Sequence, residues 1–347
     1  DWTFASKDSV FIAFKKSEPQ NWPAHLCTLE QFHRHLMELK SICDNVDVKD
    51  LAYRRLELLE YKFRLHLALN EENEAGSTEG ATGMHNRDFY HASKVDTHIH
   101  MAAGMTGRHL RAFVVDKLTN NRDDIVARDP GSGKVSTFAG VAKSLGVTEN
   151  LTVDQLNVQA DHTLFERFDN FNNKYNPMAQ ALLRTLLLKT DNYMNGRYFA
   201  ELINQTFAEY AKDQYTFAEN RVSIYGIKLT EWDKLAEWFD THGMGSKHNK
   251  WLIQVPRVYK VFRGNNTISS FGQYIENIFK PLWDVSLEPH RYPRLHNFLE
   301  HVSGFDSVDN EATIDLPFST VSPWQWTAVA NPPYNYYMYH LWANIRT

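Results

Sequence analysis

His98 and His100, in the stretch Lys94-Val95-Asp96-Thr97-His98-Ile99-His100, are the residues of this chain whose types and spacing best suit chemistry. The stretch reads as a short, largely buried strand running into a loop and then a helix at Arg108-His109-Leu110. Alternate side chains of a strand share a face, so the two imidazoles project together with Ile99 packed behind them. Paired imidazoles at a strand's C-terminal end suit a borderline-soft cation such as zinc, and in a barrel of parallel strands that end is where active sites are built. A purely structural role fits the spacing equally well. His33-Arg34-His35 has the same spacing but lies in a helical pattern. Residues i and i+2 of a helix diverge, so that pair cannot chelate.

The elements that would position the pair follow from periodicity. Residues 1–21 show no period and are expected to form an arm. Thr28-Leu29-Glu30-Gln31 is a capping-box pattern opening a helix with Phe32, Leu36, Leu39 and Cys43 on one face. A second helix carries Leu56, Leu59, Phe63 and Leu67, and the acidic, glycine-rich run from Glu71 to His85 reads as a linker. The expected division is an N-terminal helical arm with its linker at 1–85 and a catalytic-type domain at 86–347.

Within the second part, Leu110, Phe113, Val114 and Leu118 mark a helix, and Asn120 to Thr137 reads as an irregular insertion. Its Gly131-Ser132-Gly133-Lys134 is not a phosphate loop, because Val135 stands where Ser or Thr must reach magnesium. Asp161 to Asn176 is a polar-aromatic loop, either an ordinary surface loop or one that hydrogen-bonds a small ligand. A long helix is expected over Thr190 to Lys212, and Thr230 is expected to cap another with Leu235, Trp238 and Phe239. Strands are expected near 94–100, 221–226, 251–255 and 302–308, and a last helix over Asn335 to Arg346 with no following strand to pack on. Alternating strands and helices specify a parallel sheet, open or closed, with four strand–helix units where a barrel needs eight.

Composition narrows the function classes. The chain has 347 residues, 43% hydrophobic, enough for one large domain or two ordinary ones. A net charge of -5 with interspersed signs gives no footprint for nucleic acid or anionic membrane. Cys27 and Cys43 are the only cysteines, which suits a reducing, cytoplasmic setting. No apolar run approaches the ~20 residues of a membrane span.

Colinear segments carry a resemblance. They are Tyr53-Arg-Arg-Leu56 with Lys62-Phe63, Lys94 to His100, Lys174-Tyr-Asn-Pro177, and Leu188-Lys-Thr-Asp-Asn-Tyr193 with Gly196 to Leu202. Ser223-Ile-Tyr-Gly226, Glu231 to Ala236, Trp251 to Arg257, Glu276-Asn-Ile-Phe279 and Gly304 to Asp309 continue the series. Over most of its length from about Thr28 the chain resembles the AMP deaminase family, within the adenosine/AMP deaminase superfamily of metal-dependent barrels. The resemblance implies a TIM-type (β/α)8 barrel, of which this chain supplies about four units, preceded by a helical region. It implies zinc-dependent hydrolysis of the 6-amino group of AMP to give IMP and ammonia.

By the same resemblance His98 and His100 are metal ligands, with His100 also near the substrate, and Asn170, Phe171, Asn172, Asn173, Lys174 and Tyr175 hold the nucleotide. The family's catalytic glutamate and remaining metal ligands belong to later segments, so no catalytic residue is expected in this chain. A companion chain supplying barrel units five to eight, and a homo- or hetero-oligomer, are expected instead. Asn170 stands where the family has lysine, and Met101 where it has alanine. These departures support the competing reading, a catalytically degenerate deaminase-fold subunit with a structural or interaction role.

Overall fold

The computed structural model describes residues 2–16, 22–75, 92–129, 131–156, 176–309 and 316–347, side chains of 72–75 excepted. Its first elements are β1 (Trp2–Lys7), β2 (Val10–Lys15), α1 (Leu29–Asp44), α2 (Val46–Ala75), β3 (Lys94–His100), α3 (Gly107–Asn120), β4 (Ile125–Arg128) and β5 (Val135–Thr137). There follow α4 (Phe138–Ser144), α5 (Val153–Leu156), α6 (Ala181–Leu188), α7 (Arg197–Asp213), β6 (Thr216–Ser223), α8 (Glu231–His242) and β7 (Asn249–Pro256). The last are α9 (Tyr259–Gly264), α10 (Phe271–Leu287), α11 (Pro293–Glu300), β8 (Val302–Val308) and α12 (Tyr334–Arg346). They fall into two compact units, one of Asp1–Ala92, Thr313–Trp326 and Pro332–Thr347, the other of Ser93–Ala312 and Thr327–Asn331.

In the first unit the expected arm is a hairpin. β1 and β2 pair antiparallel through Asp8 and Ser9, both at positive φ. That is the turn geometry that matches strand twist, but Asp-Ser lacks the Asn-Gly signature that advertises it. Val10 and Ile12 of β2 form a core with Leu26 and with Tyr339 and Ala343 of α12. Asn344 locks the two elements together: its Oδ1 accepts from Phe11 N, and its Nδ2 donates to Ser9 O, each at 2.9 Å. The last helix therefore packs on the first hairpin, whose strands precede it, so it meets a partner without a following strand. The capping box of α1 is present as read, Thr28 Oγ1 accepting from Gln31 N and Gln31 Oε1 from Thr28 N. The apolar positions of α2, including Leu56, Leu59, Phe63 and Leu67, are exposed.

The second unit is built on four strands, all parallel, in the order β3-β6-β7-β8. The first and last strands match their expected bounds. β6 runs over 216–223 rather than 221–226, and β7 extends the expected 251–255 by two residues before and one after. The sheet is open, with β3 and β8 at its edges. β3 is not the buried strand its sequence suggests: Lys94 to His98 are exposed, because an edge strand has one neighbour instead of two. One face of the sheet carries Trp251, Ile253 and Val255, all buried, with Trp251 against Phe207 of α7 and Trp238 of α8. The supposed irregular insertion contains the β4–β5 hairpin.

Candidate active site

Period-two alternation places His98 and His100 on one face of β3. Their ring centroids lie 5.3 Å apart at 56°. The register of β3 on β6 slips between Asp96 and Ile99, where Thr97 and His98 of β3 answer the single residue Glu219 of β6. Such a bulge re-aims the side chains beside it, here Thr97 and His98. Arg221 of β6 fills the gap: its Nη1 donates to the Thr97 carbonyl at 2.8 Å while its Nε pairs with Asp306 of β8 at 2.5 Å. Only 8% of the Arg221 side chain is exposed, so this one guanidinium ties both edge strands to the sheet.

Gln254 stands on the same face. Its Oε1 lies 2.7 Å from Nδ1 of His100. With the proton on Nδ1 the imidazole donates to the amide oxygen and Nε2 carries the lone pair, the arrangement in which a neighbouring acceptor orients a ligand histidine. Burial lowers the His100 pKa from its ordinary value against the Gln254 hydrogen bond, which raises it, with His98 and Arg221 adding to the lowering. A neutral ring is the metal-binding form. The two rings fit a pair of ligands to one cation. Among the described residues no third His, Cys, Asp or Glu joins them in a metal-sized cluster.

His100 opens onto a pocket of about 360 Å³ whose lining includes Ala102, Arg184, Lys189, Phe199, Arg221, Tyr225 and Gln254. Its walls come from β6, β7, α6, α7 and α8 and from the turns after β3 and β6. Glu231, the first residue of α8, accepts from Tyr225 N at 2.7 Å, Ile227 N at 2.5 Å and Lys228 N at 3.1 Å. This carboxylate holds the turn after β6; Thr230, expected as the cap, makes no side-chain cap bond. Gly226 in that turn has φ +71°, and a Cβ there would meet the Tyr274 ring at 2.8 Å, so no larger residue fits.

The chain matches the family model described as AMP deaminase over residues 1–347. It belongs to the AMP deaminase family. An AMP deaminase of Saccharomyces cerevisiae is 38% identical over 350 residues, covering 99% of this chain and 42% of the relative. One from Dictyostelium discoideum is 41% identical over 92% of this chain and 40% of the relative. AMP deaminase 3 of Mus musculus is 41% identical over 95% of this chain and 43% of the relative. The chain thus spans about two fifths of the length of the curated relatives it matches.

Of the residues the family resemblance singles out, the structure brings the His98 and His100 rings together, and His100 alone of the two lines the pocket. Asn170, Phe171, Asn172, Asn173, Lys174 and Tyr175 lie outside the described residues. Met101 is fully buried and is not part of the pocket lining. Sequence reading gave no role to Arg184, Lys189, Arg221, Tyr225 or Gln254. Lys189, Tyr225 and Gln254 stand in family-like segments, which is the available signal; Arg184 and Arg221 do not. None of the described helices is long and apolar enough to cross a membrane.

Proposed function

We propose that this chain carries part of the active site of an AMP deaminase, which replaces the 6-amino group of AMP with oxygen from water to give IMP and ammonia. The observation that carries the reading is His100, lining a cationic pocket, held by Gln254 and paired with the His98 ring, in a chain of this family. His98 and His100 would hold zinc, which when bound supplies a water of lowered pKa near neutral pH. Gln254 fixes the His100 ring, and Asn170 to Tyr175 grip the nucleotide. The (β/α)8 barrel, the further metal ligands and the glutamate that moves protons belong to the same proposal.

So does a companion. Parallel sheets normally have both faces covered, and unpaired edges are protected. Here β3 and β8 are both edges. The exposed apolar side chains all round α2 are those of a helix that packs between neighbours. We take further parallel strands, and an oligomeric assembly in the cytoplasm, to complete the protein.

The test is ammonia release from AMP by the protein containing this chain, before and after removal of metal with a chelator. Turnover should vanish on chelation and return with zinc. A subunit with only a structural role binds no AMP productively and gives no turnover in either state. Unchanged turnover in the metal-stripped protein would overturn the zinc assignment.

A further inference from the structure

We infer that Arg221 and Asp96 are positioning residues that pin the register slip of β3 and so keep both histidines on the pocket face, an inference that rests on the deaminase reading above. The register decides which face the pair takes. Asp96 stands beside Ala218 and Ile99 beside Asn220, so these four share a face of the sheet. Asn220 is in turn beside Trp251, which packs under α7 and α8. Continued in the register of Asp96, β3 would set His98 beside Asn220 and His100 beside Val222. Both imidazoles would then be turned to the helix-covered face, because a slip of one residue exchanges the faces of a strand. The step at Thr97 and His98, two residues against one, shifts the count. His100 stands beside Arg221 instead, on the face that carries Gln254.

One peptide unit carries the step, the one between Thr97 and His98. Side chains take both of its polar groups. Arg221 Nη1 donates to the Thr97 carbonyl at 2.8 Å, and His98 N donates to Asp96 Oδ1 at 3.4 Å. The peptide is planar, so holding its oxygen at one edge and its N–H at the other fixes its rotation. That rotation sets the direction in which the His98 side chain leaves the strand. The arginine contact is the shorter and carries more of the hold. It is also braced. Arg221 Nε pairs with Asp306 Oδ2 at 2.5 Å, and Asp306 Oδ1 accepts from Ser307 N at 2.9 Å. A rigid planar fork can meet two fixed acceptors in different directions, whereas a lysine ammonium is one point on a flexible stem. Asp96 supplies the local half of the clamp, an aspartate bonding the backbone two residues on.

The experiment compares the wild-type protein containing this chain with Arg221→Lys, Asp96→Ala and Asp96→Asn, all first stripped of metal. Hydrogen–deuterium exchange over Lys94 to His100, read by mass spectrometry, reports the strand with no metal present, and the melting temperature reports the whole fold. Cobalt(II) then reads ligand geometry through its visible bands, and zinc titration against a competing chelator gives the affinity. Arg221→Lys should speed exchange over Lys94 to His100, alter the cobalt bands and weaken zinc binding about 10- to 100-fold. Asp96→Ala should act in the same direction and less strongly. Asp96→Asn keeps an acceptor oxygen and should stay within about threefold of wild-type zinc affinity. Unchanged exchange and zinc affinity in Arg221→Lys would overturn the inference, as would losses that only track a fall in melting temperature. Equal losses in Asp96→Asn and Asp96→Ala would remove Asp96 from the clamp. Failure of the deaminase reading has a different signature: the wild type takes up neither zinc nor cobalt, while exchange still rises in Arg221→Lys.

Discussion

His100 and Gln254 meet at 2.7 Å although their strands, β3 and β7, are separated by β6. The contact is possible because both side chains stand on one face near the C-terminal ends of the strands. It makes the ring orientation of His100 a property of the sheet rather than of its own exposed strand. Replacing Gln254 with Ala should therefore lower zinc affinity about 10- to 100-fold with both histidines intact. Zinc titration against a competing chelator measures it; unchanged affinity would show that His100 needs no such support.

Arg221 joins the Thr97 carbonyl of β3 to the Asp306 carboxylate of β8 from within the sheet. Arg221→Met should destabilise the protein by about 3 kcal/mol, since Asp306 loses its partner in a poorly solvated place and the Thr97 carbonyl is stranded. Asp306→Asn keeps an acceptor and should cost less. Urea unfolding of the two variants gives the ordering directly.

His340 lies within α12 at 1% exposure beside the rings of Tyr336 and Tyr339. Burial pulls its pKa down to about 3. The unfolded chain takes up a proton near the ordinary histidine value of ~6.5, and the folded chain does not. Stability from this residue is thus complete above about pH 6.5 and is lost progressively as the pH falls towards 3. His340→Phe should flatten the fall of the melting temperature between pH 6.5 and 4 relative to wild type, as differential scanning calorimetry would show.

What was legible from sequence follows the physics of each segment. β3 and β8 are readable to the residue because each is bounded by polar or turn residues and alternates in sequence, although neither strand buries a full apolar side. β6 was misplaced because Glu219 and Asn220 break its apolar run, although Asn220 is buried through a 2.6 Å bond from its Nδ2 to Asn249 Oδ1. The helix expected from Thr190 starts at Arg197, since Asn192 bonds the backbone on both sides of a turn ending at Gly196, which has positive φ. The histidine pair was visible through its spacing. The bulge that aims it, the glutamine that holds it and the arginine on the Thr97 carbonyl were not, since each exists only once separate elements meet.

The most direct test of the account is zinc content and AMP turnover measured on the same preparation of the protein containing His98→Ala and His100→Ala together. The account predicts loss of bound zinc and a fall in turnover of at least about a thousandfold, some 4 kcal/mol of barrier, with the secondary structure preserved. Full zinc content, or turnover near that of the wild type, would contradict it.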